Sequence, residues 1–360
     1  MSHPSIIRLT KSLITISILF MSGLAFTQTE STASGPEQSI GIIYSEALQL
    51  VQSDQPGFPA NTPQNVDPQA LADLGFEQVY PNTKVIFKMR DGKQLVAFDY
   101  PQKSKTTVLL LHGVLSSAYM MNKTAGLIRD ATQARVIALD LRGHGQSDGA
   151  PGDVDYVDQY VDDIADVIAT IQKETPDGEI ILAGHSMGGG ISLRYAQRLD
   201  LPPVDGYLLL APHLGQNSPT LFKESTEQAP AADNFLKVHG LRIIGLKVLN
   251  LMQDHQYDHL PVLFFNLPEG MPLRNYSYRA SESMSPSDYK SGLLAVQQPL
   301  LVLVGSQDEA FTAEAFPSAI ESYSKGEIQV IKGLSHNGIR HSEKAMNVIA
   351  RWSKEQGFNK

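Results

Sequence analysis

"LAGHSMGGG" (Leu182–Gly190) sets four glycines around one serine and one histidine, and it closes the apolar run Ile180–Ala183. A chain gains from placing its most permissive residues around a hydroxyl where a strand gives way to a helix. The pattern G-x-S-x-G lets the backbone turn sharply there and leaves the serine strained and exposed at the tip. Alone the pattern is weak: at ordinary glycine and serine usage, a chain of this length holds one by chance roughly one time in eight. Gly184-His185-Ser186-Met187-Gly188 therefore has to be judged by its surroundings.

On both sides of it, short apolar runs alternate with helical patterns. Upstream, Val85–Met89 and Leu95–Tyr100 are β-type runs separated by Arg90-Asp91-Gly92-Lys93, a hairpin signal. Thr107–Leu111 ends in His112-Gly113, Arg135–Leu139 ends in Asp140, and Tyr119–Asp130 leaves room for a helix between them. Val157, Val161, Ile164, Ile168 and Ile171 recur at helical spacing, so Tyr156–Glu174 is expected to be an amphipathic helix. Downstream, Met187–Arg198 is a helix and Tyr207–Leu210 a strand. After a gap come strand Leu300–Val304, helix Ala313–Tyr323, strand Ile328–Ile331 and helix Ser342–Glu355. Short, doubly apolar strands alternating with helices predict an α/β protein, a mostly parallel, doubly wound sheet covered on both faces. Chemistry in such sheets sits at the carboxyl ends of the strands.

The rhythm breaks once, between Ala211 and Pro299. Apolar patches stand there instead: Leu241, Ile244, Val248, Leu251 and Met252, then Leu263, Phe264 and Phe265. So long a stretch is not expected to be structureless. A lid folded over the active edge of the sheet is the economical expectation.

Three strand ends carry reactive side chains in the order Ser, Asp, His. Ser186 follows Ile180–Ala183, Asp308 follows Leu300–Val304, and His336 follows Ile328–Ile331. A serine hydroxyl is too weak an acid to attack a carbonyl unaided at neutral pH. An imidazole takes its proton, and a carboxylate fixes the imidazole's tautomer and stabilises its cation. Glu309 and Asp288 are alternative acids, and His341 is the nearest rival base.

"LLLHGVLSSA" (109–118), "VIALDLRGHGQSDG" (136–149), "ILAGHSMGGG" (181–190), "LLVLVGSQDEAF" (300–311) and "GLSHNG" (333–338) together resemble the α/β-hydrolases, specifically the monoacylglycerol-lipase-like serine hydrolases with a cap. The resemblance spans residues 85–355. It implies a core over 81–211 and 299–360 and a lid at 212–298. It also implies Ser186 as nucleophile, Asp308 as acid, His336 as base, and the amides of Val114 and Met187 as oxyanion hole. No cofactor follows from it.

The remaining histidines read differently. His112 and His144 lie in glycine-flanked turns and are expected to brace loops, and His185 to pack beneath the serine. His213, at the end of the strand beside the nucleophile's, is expected to line the pocket. In "DHQYDH" (254–259), His255 and His259 would share one face of a helix. No third ligand accompanies them, the H-E-x-x-H glutamate is missing, and no metal is expected.

Composition narrows the partners. The 360 residues are 42% hydrophobic with a formal charge of −9 and no basic run, which argues against nucleic acid. Without a cysteine there is no disulfide, thiolate metal site or cysteine nucleophile. Arg8 and Lys11 precede the apolar stretch Leu13–Phe26, followed by small residues, the layout of a secretory leader over 1–27. A secreted or periplasmic protein is expected, with an uncleaved anchor as the alternative. Residues 28–80 read as a linker or arm.

The expectation is thus a serine hydrolase of carboxylic esters working through an acyl-enzyme. The apolar lid favours a small lipid-like ester such as a monoacylglycerol or lysophospholipid, with Phe264 and Phe265 at the acyl site and transient contact with a membrane surface. A peptidase or carbon–carbon bond hydrolase with the same triad is one alternative, and a non-catalytic binding protein of the same shape is another.

Overall fold

Arg90–Lys93 turns the chain between two antiparallel strands, β1 (Thr83–Lys88) and β2 (Gln94–Tyr100), with Gly92 at φ +86° and the Met89 amide closing on the Lys93 oxygen. A left-handed residue at that place matches the twist of the two strands and costs glycine nothing. The structure, a computed structural model, describes residues 36–58, 68–221 and 235–358. The expected leader at 1–27 lies outside the described residues. The chain forms two compact units, Met1–Glu46 and Ala47–Lys360. Of the first, the described part is the opening of helix α1 (Pro36–Val51).

In the second unit, α2 (Pro68–Asp73) precedes the hairpin. Then come β3 (Thr106–Leu111), α3 (Asn122–Thr132), β4 (Arg135–Leu139), α4 (Gln159–Glu174), β5 (Glu179–His185), α5 (Met187–Ala196) and β6 (Gly206–Leu210). After the insertion, β10 (Leu300–Gly305), α9 (Phe316–Tyr323), β11 (Glu327–Ile331) and α10 (Glu343–Gln356) complete the fold. The eight strands order as β1-β2-β4-β3-β5-β6-β10-β11. The first two pairings are antiparallel and all others parallel.

Every residue of β3 and of β10 is buried, because helices cover both faces. Val108, Leu110, Val136, Ala138, Ile181, Leu208 and Leu301 face Ile128 of α3 and Ile349 and Trp352 of α10 across one side. Each such aliphatic side chain contributes about 1.5–3 kcal/mol through burial. Helix α4 buries Val161, Ile164, Val167, Ile168 and Ile171 and turns Asp162 and Asp166 outward to Arg90.

The stretch between β6 and β10 departs from the sequence expectation of patches without rhythm. It folds into β7 (Leu236–Val238), α6 (Gly240–Leu251), β8 (Pro261–Phe265), β9 (Asn275–Ser277), α7 (Tyr278–Ser283) and α8 (Tyr289–Ala295). The three strands make a small antiparallel sheet. Strands of three to five residues are too short to show a period in sequence, and β7 is half exposed. Among the described residues no helix is long and apolar enough to cross a membrane.

Register brings the site together. His185 pairs with Leu210, Leu210 with Leu303, and Gly305 with Ile331. The carboxyl ends of β5, β6, β10 and β11 therefore lie along one edge, and the loops that leave them converge there.

Candidate active site

Ser186 joins β5 to α5 at φ 53° and ψ −115°. That conformation is expensive for a residue with a Cβ, on the order of 1–3 kcal/mol. Its neighbours hold it: the Ser186 amide donates to Leu210 O at 3.0 Å, and Ser186 O accepts from the His213 and Gly190 amides at 2.9 and 3.1 Å. The glycines around it serve closeness rather than left-handed backbone, since none of the four has a positive φ. A Cβ on Gly184 would stand 2.3 Å from the Gly188 carbonyl, and one on Gly188 2.5 Å from Leu111 O. Strand, helix and the neighbouring β3 thus approach to backbone contact, and the strain falls on the serine.

Strain of this kind recurs nearby. Six non-glycine residues among those described have a positive φ, and Leu115, Ser186 and Ala211 are on the loops that follow β3, β5 and β6.

His336 lies on the loop after β11, and its Nδ1 is 2.9 Å from Asp308 Oδ2. The other Asp308 oxygen accepts from the Ala310 and Phe311 amides at 2.9 and 2.8 Å, which fixes the carboxylate with no freedom to swing. A carboxylate so placed accepts the Nδ1 proton and leaves Nε2 as the basic nitrogen. Asp308 is fully shielded at its side chain, whereas the His336 ring keeps about 10% exposure. Glu309, the alternative acid, accepts instead from the His336 main-chain amide at 2.8 Å. Asp288, the other alternative, caps α8 through the Ser291 amide. His341, the rival base, touches Thr124 at 3.2 Å.

Val114 follows Gly113 on the loop after β3, and the buried Met187 follows Ser186. Among the described residues neither backbone amide donates a hydrogen bond, and Met187 opens α5, where the helix dipole adds positive potential. Gly113, one residue before Val114, packs against the Ser186 Cβ so tightly that an added Cβ would sit 3.2 Å away.

The histidines around the site divide by what they hold. His185 approaches the His336 main-chain oxygen with Nε2 at 3.0 Å, its ring centre 4.7 Å from that of His336. His112 is fixed between Gly113 O and the Leu141 amide, and burial pushes it down to about 4. His144 lies 4.9 Å from the His112 ring and is pushed down to about 3, first by burial and then by His112. Burial also lowers His185 far below the usual histidine range. All three are neutral braces at neutral pH.

His213 neighbours Phe311, ring centres 5.8 Å apart, and Phe311 stands edge-on to His336 at 5.3 Å. Its Nδ1 is buried without a hydrogen-bond partner among the described residues, and burial lowers the ring to about 4. Phe264 and Phe265, adjacent on β8, do not come together. Phe265 is buried, with Tyr276 and Phe235 against it, and Phe264 lies on the other face near His239. In 254–259 the chain runs through turns, not the helix that would align two imidazoles; His255 contacts Asp258 and His259 the Gln256 carbonyl. Among the described residues no cluster of three acidic, histidine or cysteine side chains could hold a metal.

Tyr276 and Phe311 escaped sequence reasoning, and Glu309, weighed there as an acid, serves the His336 main-chain amide instead. Phe311 was within a matching motif, where an aromatic three residues past Asp308 is the available signal. Tyr276 had none, being 161 residues from the loop it touches.

The profile of the family described as Serine aminopeptidase, S33 matches residues 102–260. The AB hydrolase superfamily protein YisY of Bacillus subtilis is 27% identical over 226 residues, 61% of this chain and 81% of that one. Monoglyceride lipase of Mus musculus is 32% identical over 140 residues, 38% of this chain, and the chain spans only 42% of the lipase. Est1E of Butyrivibrio proteoclasticus, solved with ferulic acid bound, superposes with a TM-score of 0.53 at 18% identity, over 76% of this chain and 99% of that one. A mostly parallel eight-stranded sheet with these neighbours defines an α/β-hydrolase fold. In sequence the chain is similar to hydrolases of this fold, monoglyceride lipase among them.

Proposed function

We propose that the protein cleaves carboxylic esters with lipid-like acyl groups through an acyl-enzyme on Ser186. The observation that carries this reading is the Asp308–His336 contact of 2.9 Å on the same sheet edge as the strained serine. Ser186 Oγ attacks the ester carbonyl as its proton passes to His336 Nε2. The amides of Val114 and Met187 hold the oxyanion, a contribution that is often the largest in such chemistry. His336 then protonates the departing alkoxide, and a water activated by the same nitrogen releases the acid. Neither cofactor nor metal takes part. The apolar insertion favours a monoacylglycerol or lysophospholipid over a polar ester, and brief contact with a membrane surface would deliver such a substrate. The leader pattern over 1–27 supports the periplasm or the exterior as the place of this activity.

An amide hydrolase is the second reading, favoured by the name of the matching family. One experiment separates the two. A fluorophosphonate should label the wild type and not Ser186→Ala. Among p-nitrophenyl esters of two to sixteen carbons, kcat/KM should rise with acyl length by up to roughly fourfold per carbon until the pocket fills, since each buried methylene contributes about 0.8 kcal/mol. Absence of labelling overturns the serine mechanism. A flat profile with aminoacyl amides cleaved faster overturns the lipid reading.

A further inference from the structure

We infer that Tyr276, on strand β9 of the insertion, is a positioning residue for the oxyanion loop, and that β9 stays docked on this loop throughout turnover. The inference rests on the proposed role of the Val114 amide.

Leu115, the next residue, sits at φ 56°, a conformation that a γ-branched residue does not adopt unaided. Its amide is held by Tyr276 Oη at 2.8 Å. The same oxygen lies 2.9 Å from His144 Nε2, and His144 Nδ1 lies 2.9 Å from Arg142 O. A carbonyl only accepts, so Nδ1 carries the proton and Nε2 is the acceptor. Tyr276 must then donate to His144, and its oxygen is free to accept only from Leu115. Every hydrogen in the chain of bonds is assigned. Arg142 in turn is anchored, forked onto the buried Asp163 at 2.6 and 2.8 Å.

The tyrosine itself has no room to move. Its side chain is fully buried, with Phe265 edge-on at 5.9 Å. Strand β9 is fastened to the core on its far side: the Ser277 amide donates to Gly152 O at 3.0 Å, and Arg279 forks onto Asp153 at 2.8 and 2.6 Å. If β9 lifted, Leu115 would lose the bond that offsets its strained backbone, and the Val114 amide would turn with it. Substrate must therefore enter past some other part of the insertion.

Tyr276→Phe, assayed with a short ester and normalised to the number of serines titrated by a fluorophosphonate, tests this. The expected result is a loss in kcat per titrated serine on the order of tenfold, with KM changed less than about twofold, because the donor is displaced rather than removed. An alkyl boronic acid, which mimics the tetrahedral oxyanion, should weaken by the same factor as kcat/KM. A purely structural tyrosine would lower the titratable fraction and leave turnover per site untouched, and that outcome overturns the inference. Failure of the wild type to react with the fluorophosphonate would instead overturn the reading beneath it. Should the variant not fold, hydrogen exchange on the wild type decides. The Leu115 amide should exchange only together with those of Ser277 and Tyr278, with or without a long-chain ester product, and independent exchange at Leu115 would overturn the inference.

Discussion

His185 Nε2 lies 3.0 Å from the main-chain oxygen of His336, so the residue before the strained serine holds the loop of the imidazole opposite it. An oxygen of that kind only accepts, so the buried, neutral His185 donates. The end of β5 and the loop after β11, 151 residues apart in sequence, are joined at this bond. Removing the donor should loosen His336 without touching Asp308. His185→Ala is expected to lower kcat roughly 10- to 100-fold while fluorophosphonate labelling of Ser186 slows in proportion. Labelling at the wild-type rate would show that the bond has no part in placing the base.

Replacing Ser186 or His336 with alanine should each remove a factor on the order of 10⁴–10⁶ in kcat, and the double variant should be scarcely worse, because such groups act as a unit. Losses that multiply would refute the assignment. Asp308→Asn should cost less, since it sets the tautomer of His336 and makes no bond to substrate. Glu309→Gln keeps an acceptor for the His336 amide and should change kcat less than about threefold. Steady-state kinetics on the five variants checks the order.

The two phenylalanines of β8 should behave differently. Phe265 is enclosed by Phe235 and Tyr276, and its removal should cost about 3–5 kcal/mol of stability in urea unfolding. Phe264 is half exposed beside His239, and Phe264→Ala should cost about 1 kcal/mol or less. Any flattening of the acyl-length profile should come with Phe265→Ala. Equal effects from both would place the acyl chain on the other face of the strand.

Stability should fall steeply in mild acid. His112 and His144 are held down at about 4 and about 3, and His185 is lowered as well, all by burial. The unfolded chain takes up protons at these sites near pH 6.5 while the native protein does not, so unfolding is favoured as pH falls from about 6.5 toward 4. Each site contributes about 1.4 kcal/mol per pH unit within that window. Urea midpoints at pH 7, 6 and 5 should show the decline, and it should be shallower in His144→Gln. A level profile would mean that these rings are not buried in the neutral form.

Sequence alone determined the sheet and the order of its chemistry. Doubly apolar strands such as Thr106–Leu111 and Leu300–Gly305 carry their burial in their composition, and the turn at Gly92 carries its φ in its residue type. The positions of Ser186, Asp308 and His336 after β5, β10 and β11 follow, since a parallel sheet delivers every strand end to one edge. Tertiary structure decided the rest. The insertion reads as patches because its strands are three to five residues long and stable only against one another and the core. Which acid faces His336 depended on loop geometry that Asp308 and Glu309, adjacent in sequence, share up to the last bond. Tyr276 meets Leu115 across 161 residues, and Phe264 and Phe265 part to opposite faces, through register and docking that no local pattern encodes. Burial and backbone propensity are properties of a short stretch and can be read from it, whereas a hydrogen bond between distant loops exists only once both are held in place.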